Sequence, residues 1–286
     1  MNSTRSVVHS IDAVPASDGA GVQLKRIMSQ PPHQLMDPFL LLDELQADHR
    51  DALGGGFPPH PHRGIETISC MLVGGFRHED HMGNRREVGN GGMQWMKSGR
   101  GVIHSEMPVP EQDRLHGFQL WLNMPRKAKM DDPQYMDIDR DAIPEWPLSE
   151  GKCRVLVGAL QNDDIRVQAP TVREDTQALV LDVKVDAGGR VILPVTPGKV
   201  MIYVYRGVVN VAGSDSVISI GESTLAVLSE SGDLELTASE QSGLLVLAGE
   251  PLNEPVVQSG PFVMNTREEI ERAFQDYRTG ELVATG

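Results

Sequence analysis

Over most of its length the chain alternates apolar and polar residues in short runs that stop at glycine or proline. TISCMLVGGFRHED, VGNGGMQWMKSGRGVIHSEM and LHGFQLWLNM keep this rhythm in the first half; ALVLDVKVDAGGRVILPV, KVMIYVYRGVVNVAG and STLAVLSESGDLELTAS keep it in the second. Period-two alternation closed by tight turns marks antiparallel strands with one buried face. Near the C-terminus the period changes. Thr266 and Glu269 have capping-box spacing, and Ile270, Ala273, Phe274 and Tyr277 recur at helical intervals. This predicts a single α-helix from about Arg267 to Arg278, its apolar stripe used for packing.

Between the two sets of strands, residues 130–151 carry three prolines and seven acidic residues without a clear period. Such a stretch suits a surface linker, and 286 residues are enough for two cores. The expected organisation is an all-β chain with a first domain over 1–130, a linker over 131–151 and a second domain over 152–286 that includes the helix. Both halves carry an apolar strand ending in a glycine turn, VGG at 73–75 and YRG at 205–207, which points to an internal duplication. Val191, Leu193, Ile202, Val204 and Leu225 are expected to fill the second barrel.

A formal net charge of −14 opposes binding to a phosphate backbone, so any effect on transcription would pass through a protein partner. The first residues contain no apolar leader core, and no window approaches a membrane-spanning length of apolar residues; the expectation is a cytoplasmic protein. Cys70 and Cys153 fall in different expected domains without CxxC spacing and are read as reduced thiols. Hydrolase and nucleotide-binding motifs are missing.

The chemistry is confined to the first half, because none of the nine histidines lies beyond His116. In a strand, residues i and i+2 share a face. His60 and His62 in FPPHPHRG therefore project together, as do His104 and Glu106 in GVIHSEMP. If both strands line one barrel, three imidazoles and a carboxylate converge into a mixed N/O set suited to a divalent transition metal, with positions left for substrate or dioxygen. Glu66 has the parity of His60 and His62 and competes with Glu106 as ligand; its other role is as acceptor for a ligand histidine. His78 and His81 are read as solvated turn residues, Met93, Trp95 and Met96 as packing, and Arg63 and Arg100 as exposed groups or an anion-attracting rim. Phe57, Ile65, Met71, Met93, Trp95 and Met107 are candidates for a pocket lining.

The runs HPHRGIETISCMLVGGFRHED, GGMQWMKSGRGVIHSEMP and GPFVMNTREEIERAFQDYRTG closely resemble the pirin family of the cupin superfamily. The likeness extends over nearly the whole chain. It implies two tandem cupin barrels with a single metal, usually iron, in the first, held by His60, His62, His104 and Glu106, with Glu66 outside the ligand set. It also implies one of two functions: opening of flavonols such as quercetin by dioxygen, or iron-dependent regulation through binding of a transcription factor or metabolic enzyme. For the first, a carboxylate within reach of the substrate hydroxyl suits Glu106 to take its proton, with Glu66 as the reserve base.

Overall fold

The structure, a computed structural model, describes residues 4–27, 35–49, 53–109, 112–195, 198–213 and 217–283. Strands dominate, as the alternation predicts, and they gather into two compact units. One unit comprises Val14–His33, Phe39–Arg140 and Leu252–Gly286; the other comprises Met1–Ala13, Gln34–Pro38 and Asp141–Pro251.

In the unit that carries the histidine motifs, a seven-stranded sheet runs in the order Gln134–Ile138, Met93–Lys97, Ile65–Val73, Leu115–Asn123, Phe39–Ala47, Val22–Ile27, Val14–Asp18. A four-stranded sheet runs Phe57–His62, Val102–Pro108, Phe76–Asp80, Arg85–Val88. Val22, Leu24, Leu45, Met71 and Leu115 from the first sheet pack with Phe76 and Val88 from the second, so this core lies between the sheets.

The other unit repeats the plan. Its seven-stranded sheet runs Val7–Asp12, Thr224–Leu228, Lys199–Arg206, Ser242–Gly249, Leu179–Val185, Gly151–Val157, Glu145–Trp146, and its four-stranded sheet runs Arg190–Leu193, Leu234–Thr237, Val209–Ala212, Val217–Ile220. The duplication extends to single side chains. Arg26 lies opposite Asp43 and donates to it at 2.9 Å, and at the matching place in the other sheet Arg154 lies opposite Asp182 and donates at 3.0 Å. The strands matching those that carry the histidine pairs present Val191, Leu193, Leu234 and Leu236 to one buried cluster that also holds Ile202 and Val204. Leu225 is buried outside that cluster, and its neighbour Ala226 takes the inward position, because the strand parity is one residue out of phase with the expectation.

The expected contiguous domains give way to an exchange of chain ends. Val7–Asp12 pairs with Thr224–Leu228 and closes an edge in the second unit, although it precedes the first. The C-terminal segment packs in the first unit, although it follows the second. The expected linker is also structured: Gln134–Ile138 pairs with Met93–Lys97, and Glu145–Trp146 pairs with Gly151–Val157. Prolines and acidic residues are tolerated there because both strands are edges, which need pairing on one side only.

The single α-helix among the described residues spans Arg267–Thr279, starts at the Thr266/Glu269 capping box and ends at Gly280 with φ of 79°. Ile270 and Ala273 are buried, whereas Tyr277 is exposed and Asp276 takes the inner place. Asp276 is held there by Arg63 at 2.8 Å, an ion pair with side chains only 4% and 11% exposed. Gly64, at φ of 82°, brings the backbone so close to Val263 that a Cβ would collide with its carbonyl oxygen. No helix among the described residues is long and apolar enough to cross a membrane.

Lys129 ties the same segment from below. Its buried amine donates to the Gly64 carbonyl at 2.8 Å, the Asn123 side-chain oxygen at 2.7 Å and the Val263 carbonyl at 3.0 Å. Burial pushes its pKa down to about 7, against a smaller upward pull from Glu254 and Glu269. A lysine depressed in the folded state binds fewer protons there than in the unfolded chain, so its contribution to stability rises with pH above about 7. Unfolding free energies from denaturant titrations between pH 7 and 10 should therefore rise in the wild type relative to Lys129→Met, with a limiting slope of about 1.4 kcal/mol per pH unit. Parallel pH profiles would contradict it.

Candidate metal centre

The register of the four-stranded sheet gathers the histidine motifs. Phe57–His62 and Val102–Pro108 are neighbours, with His104 opposite His60 and Val102 opposite His62; a bulge after His104 sets Glu106 opposite Phe57. On the other side of the same strand, His78 lies opposite Glu106 and Asp80 opposite His104. His62, His78, His104 and Glu106 are buried, and His60 is half-buried.

His60, His62 and His104 have nitrogens within 4.8 Å of one another. His60 Nδ1 faces the Pro58 carbonyl at 2.8 Å, and His62 Nδ1 faces the Pro261 carbonyl at 3.2 Å. A carbonyl only accepts, so in the neutral rings both Nδ1 atoms carry the proton and both Nε2 atoms are bare. These two bare nitrogens point at each other 3.1 Å apart. His104 Nε2 is buried without a hydrogen-bond partner. Burial, then the proximity of His60, pushes the His62 pKa down to about 3. Burial, then His62, His60 and His78, holds His104 well below the ordinary imidazole value. Neutral, lone-pair-bearing imidazoles in contact are the form in which histidine ligates a metal, and a divalent cation would relieve both the facing lone pairs and the orphaned nitrogen.

The carboxylate is prepared in the same way. Glu106 Oε1 accepts from Gln94 Nε2 and, at 3.4 Å, from the Ser69 hydroxyl, and Oε2 accepts from Gln119 Nε2 at 2.7 Å. These donors are neutral, so they orient the buried charge and leave its compensation to a cation. Glu106 also forms a group with His78 and His104 whose ligand atoms lie within 4.8 Å of one another. His104 belongs to both groups.

Glu66 is placed elsewhere. Gly64 ends the strand run after His62, and Glu66 lies in the seven-stranded sheet, where it accepts from Trp95 Nε1 at 2.7 Å. The parity that linked it to His60 and His62 therefore does not extend past the glycine. His78 corrects another expectation: it is a fully buried strand residue stacked on Tyr135 at 4.2 Å and 18°, and only His81 occupies an exposed turn. Arg63 is buried in its pair with Asp276, while Arg100 is half-exposed and paired with Asp132 at 2.9 Å. Met107 points to solvent. Trp121, absent from the expected lining, sets its ring edge against His62 with centroids 5.2 Å apart.

Gln94, Gln119 and Tyr135 were not singled out by sequence reasoning. The signal available for the two glutamines is an amide inside an otherwise apolar strand, MQWM and FQLW. Tyr135, within the expected linker, carries none, yet its hydroxyl lies 3.4 Å from Gln94 Oε1 while its ring supports His78.

Comparison with known proteins gives one consistent outcome. The family model for pirin matches residues 21–122, and the model for the pirin C-terminal cupin domain matches residues 180–283. The chain is 44% identical over 284 residues, 99% of each chain, to a Pseudomonas aeruginosa protein provisionally named quercetin 2,3-dioxygenase. It is 38% identical over 285 residues to human pirin, covering 98% of this chain and 95% of that one. A crystal structure of quercetin 2,3-dioxygenase from Acinetobacter baumannii superposes with a TM-score of 0.89 at 30% identity, covering 99% of this chain and 100% of that chain.

The metal-ligating groups found among the described residues sit in one barrel, and the buried positions of the matching strands in the other are aliphatic: Val191, Leu193, Leu234 and Leu236. Elemental analysis should therefore find one tightly held divalent metal per chain. His62→Ala and His104→Ala should each lose it while the far-ultraviolet circular dichroism remains that of a β-rich protein, because the cores do not depend on the ion. Two tightly held metals per chain would contradict the assignment, as would full retention in His104→Ala.

Proposed function

The chain belongs to the pirin family of two-domain cupin proteins, and on that footing we propose that it is a metal-dependent dioxygenase that opens flavonols, with iron as the working metal. The observation that carries this reading is the pair of facing imidazole nitrogens and a third without a hydrogen-bond partner, beside a carboxylate held by neutral donors. His60, His62, His104 and Glu106 would hold the ion. When bound, it would supply Lewis-acid polarisation of a substrate hydroxyl and one-electron reactivity toward dioxygen.

The remaining work falls to the protein. His60, half-buried where the other donors are buried, marks the side from which a planar substrate reaches the centre. Phe57, 6.4 Å from His60 between ring centroids, and Trp121 against His62 supply apolar and aromatic surface for its rings. Glu106 is suited to take the proton of the flavonol 3-hydroxyl, because Gln94, Gln119 and Ser69 fix its oxygens without neutralising them. Glu66 is held by the Trp95 indole in the other sheet, which leaves it the reserve carboxylate.

Dioxygen uptake by iron-reconstituted protein over a flavonol panel tests the reading directly. Quercetin absorbance should fall with one carbon monoxide released per dioxygen consumed, and chelation or His62→Ala should abolish the reaction. Undiminished turnover after chelation would refute a metal-dependent reaction. Full iron loading without turnover of any flavonol would refute the dioxygenase and favour a redox-dependent regulator, recognised by partner capture that differs between ferrous and ferric forms.

The two carboxylates separate in a second measurement. Glu106→Gln should lower kcat by about 10²-fold or more, the scale of a lost general base, whereas Glu66→Gln should retain metal and lose less. The reverse order would exchange their roles.

A further inference from the structure

His104 differs from the other two imidazoles in what anchors its outer nitrogen. His60 and His62 face backbone carbonyls, but His104 Nδ1 faces His78 Nδ1 at 3.4 Å. Two ring nitrogens can share only one proton between them, so the state of His104 depends on that of His78. His78 is in turn set by Asp80, whose Oδ2 lies 3.2 Å from His78 Nε2, both side chains being fully buried. The turn after Asp80 fixes which way its carboxylate points. Oδ1 accepts the backbone N–H groups of Met82 at 2.9 Å and Asn84 at 3.0 Å, and Oδ2 accepts the Asn84 side-chain amide at 2.8 Å.

We propose that Asp80 and His78 are positioning residues that select the tautomer of His104 and thereby make it a metal ligand. With His78 as a neutral imidazole, the protons can be placed in one way. An ionised carboxylate only accepts, so the proton of His78 is on Nε2 and its Nδ1 is bare. That bare nitrogen accepts the Nδ1–H of His104, which leaves His104 Nε2 as the lone pair directed into the cluster with His60 and His62. Tyr135, stacked on His78, keeps the ring in the plane this requires. The inference rests on the assignment of His104 as a ligand and adds a dependence on two residues outside the proposed ligand set.

The test reads metal affinity and tautomer and needs no turnover, so its outcome is independent of whether flavonols are substrates. Nickel(II), an air-stable divalent probe, is titrated against a chromogenic chelator. His78→Leu removes the acceptor and should weaken binding by about 10- to 100-fold, the usual effect of losing a histidine ligand's outer partner. His78→Asn places an amide oxygen near the lost Nδ1 and should restore binding to within a few-fold of wild type. Asp80→Asn is nearly isosteric and gives the sharpest result. The two backbone N–H groups hold the amide oxygen at the Oδ1 place, so the amide NH₂ faces His78 and inverts its tautomer, and that of His104 with it. Long-range ¹H–¹⁵N spectra of the metal-free protein should show His104 protonated at Nδ1 in the wild type and His78→Asn, and at Nε2 in Asp80→Asn. Wild-type nickel affinity in both His78→Leu and Asp80→Asn, with the His104 tautomer unchanged in both spectra, would overturn the proposal.

Discussion

The candidate metal centre depends on an arrangement that is unfavourable by itself: three imidazoles gathered in one barrel, two with facing Nε2 atoms and the third with its Nε2 unpartnered. Such lone pairs repel, and water cannot solvate those that are fully enclosed. The arrangement persists because every outer nitrogen is anchored. Pro58 serves His60, Pro261 serves His62, and the Asp80–His78 pair serves His104. Much of the surrounding architecture supplies these anchors.

This accounts for the course of the C-terminal segment. The carbonyl that fixes His62 comes from Pro261, in the segment that follows the second barrel in sequence, and that segment is clamped by Arg63–Asp276, by Lys129 and by the close approach at Gly64. A buried ion pair such as Arg63–Asp276 adds little net stability compared with apolar packing, but it tolerates little displacement. Its value here is positional: the residue next to His62 is locked to the helix that follows Pro261.

The two barrels show how little of the fold depends on the site. Sheet order, strand pairing and the Arg–Asp pair across neighbouring strands are the same in both. Where one presents imidazoles, the other presents Val191, Leu193, Leu234 and Leu236, each contributing about 1.5–3 kcal/mol by burial. An aliphatic interior is the self-sufficient solution; the polar interior needs amides, a hydroxyl, carbonyls and a second carboxylate to be tolerated. Ser69, Gln94 and Gln119 exist in the first barrel for that purpose.

The sequence by itself determined the all-β character, the duplication, the C-terminal helix with its cap and the pairing of His60 with His62 and of His104 with Glu106. Each follows from a local rule, period two in a strand or a capping box at a helix start, that needs no knowledge of distant residues. Resemblance added the family, and with it the choice of Glu106 over Glu66, which parity had left open. Only the tertiary structure decided that the chain ends exchange units, that Gly64 breaks the parity reaching Glu66, that His78 and Arg63 are interior groups, and that half-buried Tyr135 stacks on His78. These depend on which strands become neighbours and on what crosses over them. The apolar–polar rhythm of one strand records which face is buried but not what it is buried against, so a histidine in a polar run such as FRHED looks solvated until the sheet places it beside His104.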